Sequence, residues 1–329
     1  MVELNLSRRI DKSLAKDIAR EHGYLQYMIE RYLALWGEKE TLEFIHSCEN
    51  PIRTALRLNT LKTNEPAFLK AMSEKGIVLE KVEWLNDGYY ANFGDHSPGS
   101  LFEHMMGHYY VQGVPSMTVV EALNPQPGET VIDLAAAPGG KTTHLAQKME
   151  NTGLLLAVES DRQRIASLES NIMRCGVTNT MVLRGDARKI HSLGMEPDRI
   201  LLDAPCSGEG LIALDPERKT SKSMADIRYC ATRQDEMIDS ALDALKVGGK
   251  LLYSTCSIAP EENEFVIDAI LRKRNDVEIV SIDMEFGIPA YTEPYGVKLD
   301  ESLSKARRFL PQKHGLEGFF ICKLSKEDR

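Results

Sequence analysis

Two stretches hold the residues best suited to chemistry, LLDAPCSGEG at 201–210 and LLYSTCSIAP at 251–260. Each is an apolar run that closes in a small-residue turn carrying a cysteine, Cys206 in the first and Cys256 in the second. Such a cysteine can form a disulfide, ligate a metal, fill space or react. The chain has six cysteines, scattered and without a Cys-x-x-Cys pair, so neither a zinc ribbon nor a disulfide framework is expected. Cys48, Cys175, Cys230 and Cys322 read as small core residues, the ordinary fate of a free cysteine in a reducing compartment. For Cys206 and Cys256 the remaining use is nucleophilic, which needs an accessible thiolate held beside an electrophile.

A third stretch, DLAAAPGGKT at 133–142, points to a second reactant. Its Gly-Gly-Lys-Thr end matches the close of a phosphate-binding loop, and RILLD at 199–203 resembles the acidic strand that accompanies one. Ala135 stands where the first glycine is needed, however, and Pro138 removes an N–H from the cradle. The alternative is a cofactor with an adenosine but no pyrophosphate. Ala135, Ala136, Ala137, Gly139 and Gly140 let backbone approach a ligand closely. Glu159 ends the next apolar run, where a ribose-diol acceptor belongs, and Asp186 ends the one after it, placed to accept from an adenine amine. NAD would call for Gly-x-Gly-x-x-Gly, which is absent. S-adenosylmethionine fits better, because its sulfonium is a cation and the crevice is ringed by carboxylates.

A thiol and a methyl donor together suggest one reaction class. Carbon 5 of cytosine is not nucleophilic until a thiolate adds to carbon 6 and turns the ring into an enamine. An acid near N3, a role Asp203 can fill, stabilises that adduct. Removal of the carbon-5 proton and expulsion of the thiol complete the cycle, and a second cysteine can serve in that last stage.

APGGKT (137–142), DAPCSG (203–208) and STCS (254–257), flanked by YYVQGVPSM (109–117) and RRFLPQKHGLEGFF (307–320), resemble the NOL1/NOP2/Sun family of RNA cytosine-5 methyltransferases. The resemblance runs over about residues 52–325 and is nearest to the short archaeal-type tRNA enzymes. It implies S-adenosylmethionine as cofactor, no metal, and tRNA as the RNA partner, with ribosomal RNA as the alternative. A non-catalytic RNA-binding or assembly factor that keeps the fold is the alternative from another class. Carried over by position, it makes Cys256 the nucleophile, makes Cys206 the residue that aids product release, and turns Asp203 and Lys141 toward the cytosine. It also implies that Ala135, Ala136, Ala137, Pro138, Gly139, Gly140 and Lys141, with Glu159, Arg164, Asp186 and Asp203, line the cofactor site. Glu159 stands where the family often has aspartate; either carboxylate can bind a diol. An extruded base needs a stacking partner, for which Tyr109, Tyr110 and Phe309 are candidates, although a core role is the commoner one for each.

These residues need a scaffold that brings strand ends together. TVIDL (130–134), GLLLAVE (153–159), TMVLRGD (180–186), RILLDAP (199–205) and KLLYSTC (250–256) read as buried strands with helical stretches between them. That alternation predicts an α/β, Rossmann-like methyltransferase domain over 106–329, with a mostly parallel seven-stranded sheet. Asp133, Glu159, Asp186, Asp203 and Cys256 would then share the carboxyl edge of the sheet, where ligands bind in such folds. Residues 1–105 read as a smaller N-terminal module with a possible role in RNA binding: helical over 4–48, then strand, helix and strand over 52–62, 65–76 and 77–85.

Composition sets the outer limits. A hydrophobic fraction of 43% supports a sizeable core, and no stretch approaches the ~20 apolar residues of a membrane helix. No apolar signal core opens the sequence, so a cytoplasmic protein is expected, as a monomer by default. The formal net charge of -9 speaks against a surface coated for non-specific polyanion binding and confines any RNA contact to a local strip.

Overall fold

The computed structural model describes residues 10–328; the basic pair Arg8–Arg9 and the start of the expected N-terminal helical stretch lie outside that range. Helix α1 (Lys12–His22) starts where the Asp11 side chain accepts from the amides of Ser13 and Leu14, and it stops at Gly23, which takes the left-handed conformation with φ 73°. Helix α2 (Gln26–Glu49) is interrupted at Gly37. The pair buries Ile18, Met28, Ile29, Tyr32, Phe44 and Ile45 against Ile212, Ile258 and Leu310. The N-terminal helices therefore cover the large C-terminal domain rather than the small module next to them in sequence.

That module comprises β1 (Ala55–Leu58), α3 (Glu65–Ser73), β2 (Val78–Lys81), β3 (Gly88–Asn92), α4 (Phe102–Met105) and β4 (Tyr109–Val111). Its four strands form an antiparallel sheet in the order β2-β3-β1-β4. β4 pairs with β1 through Leu56 and Val111, so the small sheet draws on both sides of residue 106. Helix α5 (Val114–Leu123), buried at all but Ser116, then leads into the second sheet.

The large domain continues with β5 (Thr130–Asp133), α6 (Gly140–Lys148), β6 (Leu154–Glu159), α7 (Arg162–Arg174), β7 (Thr180–Arg184), β8 (Arg199–Asp203), α8 (Met224–Ala244) and β9 (Lys250–Thr255). It closes with α9 (Glu264–Lys273), β10 (Val277–Ile279), β11 (Ile288–Pro289), β12 (Arg307–Phe309), α10 (Pro311–His314) and β13 (Phe319–Lys326). β7, β6, β5, β8 and β9 run parallel in that order, and β13 joins β9 antiparallel. The α/β methyltransferase-type architecture is the one expected, but the sheet has nine strands instead of seven. Six of these nine are β5 to β9 and β13; the other three, β10, β11 and β12, have two or three residues each and are too short for an alternating pattern to register in the sequence.

Aliphatic side chains on successive strand residues enter opposite faces. Ile132, Ile200, Leu202 and Leu251 meet α8 and α9 residues such as Ile238 and Ile267 on one face. Val131, Leu155, Leu201 and Leu252 meet Val120 of α5 and Leu145 of α6 on the other. Because β6 lies on one side of β5 and β8 on the other, the chain reverses its winding at β5, and a crevice opens at that switch point. Asp133 ends β5 beside Ala157 and Leu201, and Asp203 ends β8 beside Ser254.

Candidate active site

The loop after β5 is held by its neighbours' backbones. Ala136 N donates to Val158 O at 3.0 Å, Arg164 donates to the carbonyl of Ala137, and Asn171 Nδ2 donates to Pro138 O at 2.9 Å. Gly139 has φ 105°, a conformation that favours glycine, and a Cβ on Gly140 would press on the Tyr110 ring at 3.2 Å. Beneath the loop, Asp133 is fully buried. Its Oδ2 accepts from Thr142 Oγ1 at 2.7 Å, while its Oδ1 has no partner. Burial pushes this carboxyl up to about 6 against the Thr142 hydrogen bond, and the charge of Asp203 adds to the rise.

Above the loop lies a cavity of about 240 Å³ shared between the two domains. The small module and the start of α5 supply Tyr110, Val111, Gln112, Gly113 and Ser116. The large domain supplies Ala135, Ala136, Ala137, Pro138, Gly140, Lys141 and Asp203. The other residues expected at the cofactor are not in this lining. Gly139 turns toward Leu168 and Asn171 of α7. Glu159, only 4% exposed, accepts from Asp161 N at 2.9 Å and from Ala137 N at 3.3 Å, with Arg164 3.6 Å away. Asp186 binds the guanidinium of Arg188 through both oxygens, at 2.6 and 3.0 Å, which holds its carboxyl below the usual range.

At the crevice, Asp203 joins three elements. Its Oδ2 accepts from Lys141 Nζ at 2.7 Å and its Oδ1 from Ser254 Oγ at 2.7 Å. Three residues beyond Asp203, the free thiol of Cys206 lies 3.2 Å from that of Cys256, sulfur to sulfur. The hydrogen bond with Cys256, and then burial, push the Cys206 thiol well above its ordinary range. Fold and charge thus bring the four residues expected to do chemistry, Lys141, Asp203, Cys206 and Cys256, to one place. Of the aromatic candidates, Tyr110 lines the cavity, its ring 5.2 Å from the Arg174 guanidinium. Tyr109 and Phe309 are fully buried, Tyr109 donating to Pro98 O and Phe309 stacked between Trp84 and Phe286.

Residues that sequence reasoning did not single out support this site. Ser207 and Ser257, each next to one of the two paired thiols, both donate to the buried carboxylate of Glu262. Arg31 of α2, 2% exposed, binds Glu209 at 2.6 Å and Glu261 at 2.8 Å, the acids that follow the two cysteine turns. The repeated Cys-Ser pair and the Glu261–Glu262 pair were the available signals, but nothing local couples them. Among the described residues no group of three or more His, Cys, Asp or Glu is arranged to hold a metal, and no helix is long and apolar enough to cross a membrane.

Comparison with known proteins adds the family context. A family model described as 16S rRNA methyltransferase RsmB/F matches residues 120–325, and the N-terminal domain of 16S rRNA methyltransferase RsmF matches residues 26–114. The 28S rRNA (cytosine(4447)-C(5))-methyltransferase of Homo sapiens is 40% identical over 318 residues, 95% of this chain and 39% of that protein. Ribosomal RNA small subunit methyltransferase F of Klebsiella pneumoniae is 40% identical over 295 residues, 86% of this chain and 59% of that protein. The chain spans between 39% and 59% of the length of these curated relatives. Among solved structures, a methyltransferase homolog protein from Pyrococcus horikoshii superposes with a TM-score of 0.87 at 38% identity, covering 96% of this chain and all of the other. NSun6 from Pyrococcus horikoshii, solved with SFG, gives a TM-score of 0.81 at 27% identity, covering 91% of this chain and 97% of the other.

Proposed function

This chain belongs to the NOL1/NOP2/Sun family, in its RsmB/F group, and on that footing we propose that it methylates carbon 5 of a cytosine in ribosomal RNA with S-adenosylmethionine as donor. One observation carries the reading: Lys141, Asp203 and two free thiols 3.2 Å apart converge beside a cavity floored by a small-residue loop. The relatives, named as ribosomal RNA methyltransferases, favour ribosomal RNA over the tRNA that the resemblance to short archaeal-type enzymes implies.

The cavity suits an adenosine that carries a cation. Small side chains at 135–137 leave room, Asp133 keeps an unpartnered oxygen below, and Asp203 brings a carboxylate to the rim. Ala135 to Lys141 would hold the cofactor there, with Glu159, Arg164 and Asp186 supporting the loop or the adenosine end. When bound, it supplies a methyl group activated by a positive sulfur.

In the proposed sequence, Cys256 attacks carbon 6 of an extruded cytosine. The Lys141–Asp203 pair meets the polar edge of the base and shares a proton at N3, which stabilises the enamine. Once carbon 5 carries the methyl group, a base at the crevice or solvent takes the carbon-5 proton, the electrons of that bond form the carbon-5–carbon-6 double bond, and the carbon–sulfur bond breaks with its electrons returning to Cys256. Cys206, which stays protonated, donates a hydrogen bond to the departing sulfur across their 3.2 Å gap and stabilises it as it leaves. Because β4 belongs to the small sheet, the division between the domains falls after Val111 and not at the expected residue 106, within YYVQGVPSM, where Tyr110 to Gly113 and Ser116 line the cavity. A net charge of -9 keeps RNA contact local to this junction.

Bisulfite sequencing of rRNA and tRNA from cells with and without the gene tests the assignment. Loss of a protected cytosine in rRNA is expected. Loss in tRNA alone restores the tRNA reading, and no loss in either leaves a non-catalytic assembly factor.

A further inference from the structure

The two reactive turns share a single anchor. Ser207 N donates to Glu262 Oε1 at 2.7 Å, Ser207 Oγ to Oε2 at 2.5 Å, and Ser257 Oγ to the same Oε2 at 2.6 Å. The two serine hydroxyls are 3.2 Å apart, nearly the spacing of the neighbouring sulfurs. Gln234 of α8 extends the clasp, donating to Pro205 O at 2.9 Å and to Glu262 Oε1 at 3.4 Å. Glu262 is fully buried and has no directly bonded cation, a placement that costs free energy unless donors offset it. Here the donors come from both cysteine turns and from the helix behind them. A carboxylate in this place adds nothing to the apolar core, and what it does provide is a side-chain clasp between two turns that are otherwise joined through the strands, the serine hydroxyl contact and the hydrogen bond from Gly210 N to Cys256 O at 2.9 Å.

We propose that Glu262 is the positioning residue that sets the separation of the Cys206 and Cys256 thiols, by fastening the serine next to each. The assignment of work to those thiols rests on the methyltransferase reading above; the clasp itself does not. Each cysteine is one residue from its serine, so a turn released from Glu262 lets its sulfur swing. A misplacement of about 1 Å in a reacting group costs roughly 10²-fold in rate.

Thiol pairing reports the separation without any RNA. Diamide takes up the two thiol hydrogens and leaves a Cys206–Cys256 disulfide, followed by mass spectrometry of the intact protein and its peptides. Wild type is expected to close quickly. Glu262→Ala should slow closure at least about tenfold, and Glu262→Gln, which keeps one acceptor oxygen, should fall between. The double variant Ser207→Ala/Ser257→Ala keeps the carboxylate and removes the clasp, so it should reproduce the slowing and decides the matter if Glu262→Ala does not fold. In methyl transfer, kcat should drop about 10²-fold with RNA KM and cofactor affinity within about twofold. Unchanged closure rates in the Glu262 and serine variants overturn the proposal, as does a loss of cofactor affinity that matches the loss of kcat. Wild type that closes its disulfide normally yet methylates no RNA overturns the functional reading and leaves the clasp standing.

Discussion

The turns after β8 and β9 start from the same materials and are held by different means. Both leave neighbouring parallel strands at the level of Asp203 and Ser254, both present Cys-Ser, and both serines bond Glu262. The β9 turn is braced by its own next residues: Thr255 Oγ1 donates to Asn263 Oδ1 at 2.6 Å, and Asn263 Nδ2 returns to Ser257 O at 2.9 Å. The β8 turn is braced from outside. Gln234 of α8 holds Pro205 O, Arg218 holds Ser207 O at 3.1 Å, and Arg31 of α2 holds Glu209. Cys256 thus sits on a turn with local support of its own, added to by Gly210 N on Cys256 O at 2.9 Å and Arg308 on Ile258 O at 3.1 Å, while Cys206 is held mainly by tertiary packing. Under the proposed mechanism the attacking group has the more local support, and the N-terminal helices, through Arg31 on Glu209 and Glu261, reach the flanks of both turns.

The largest test of this asymmetry is Cys256→Ala, expected to cut methyl transfer from labelled cofactor to RNA by more than about 10³-fold and to leave no covalent adduct. Substantial residual activity would take the nucleophile away from β9. Next comes Arg31→Ala, which strands the buried carboxylate of Glu209 and frees the partly buried one of Glu261, and should cost about 3–5 kcal/mol in denaturant unfolding. In the protein that still folds, Cys206 should become easier to alkylate by more than Cys256, whose turn keeps its Thr255 and Asn263 bonds; equal changes at both would erase the distinction between the turns. Cys206→Ala should lower turnover about 10²-fold and let a protein–RNA adduct accumulate, seen as a band that survives denaturing electrophoresis. An adduct from Cys256→Ala instead would reverse the two roles. The smallest effect concerns pH. Alkylation needs thiolate, and the Cys206 thiol is raised first by its hydrogen bond with Cys256. Removing that partner in Cys256→Ala lowers the Cys206 pKa, so its alkylation should begin at a lower pH than in wild type.

Much of the large domain was legible in the chain alone. Short aliphatic runs alternating with helical patterns describe a parallel sheet covered on both faces, and polar residues that end such runs must share one edge. That reasoning placed Asp203 and Cys256 on one edge, the family resemblance added Lys141 and Cys206, and the structure pairs Lys141 with Asp203 at 2.7 Å and Cys206 with Cys256 at 3.2 Å. It was less informative for Glu159 and Asp186, whose oxygens are taken up by Ala137 and Asp161 amides and by Arg188. A carboxylate at a strand end offers the same pattern whether it faces a ligand or its own loop. The three short strands around β13 left no periodic trace for the same kind of reason.

By itself, then, the sequence determined the β–α alternation, the loop that cannot cradle a pyrophosphate, and the two cysteines at the working edge. All of these depend on residues within a few positions of one another, where periodicity and turn chemistry act. Only the tertiary structure decided that α1 and α2 cover the large domain, that Arg31 reaches across 178 residues to Glu209, and that Glu262 reaches back 55 residues to Ser207. Burying a charge is tolerable only where packing brings enough donors or an opposite charge to it. That condition belongs to the folded core and is not written at any one place in the chain.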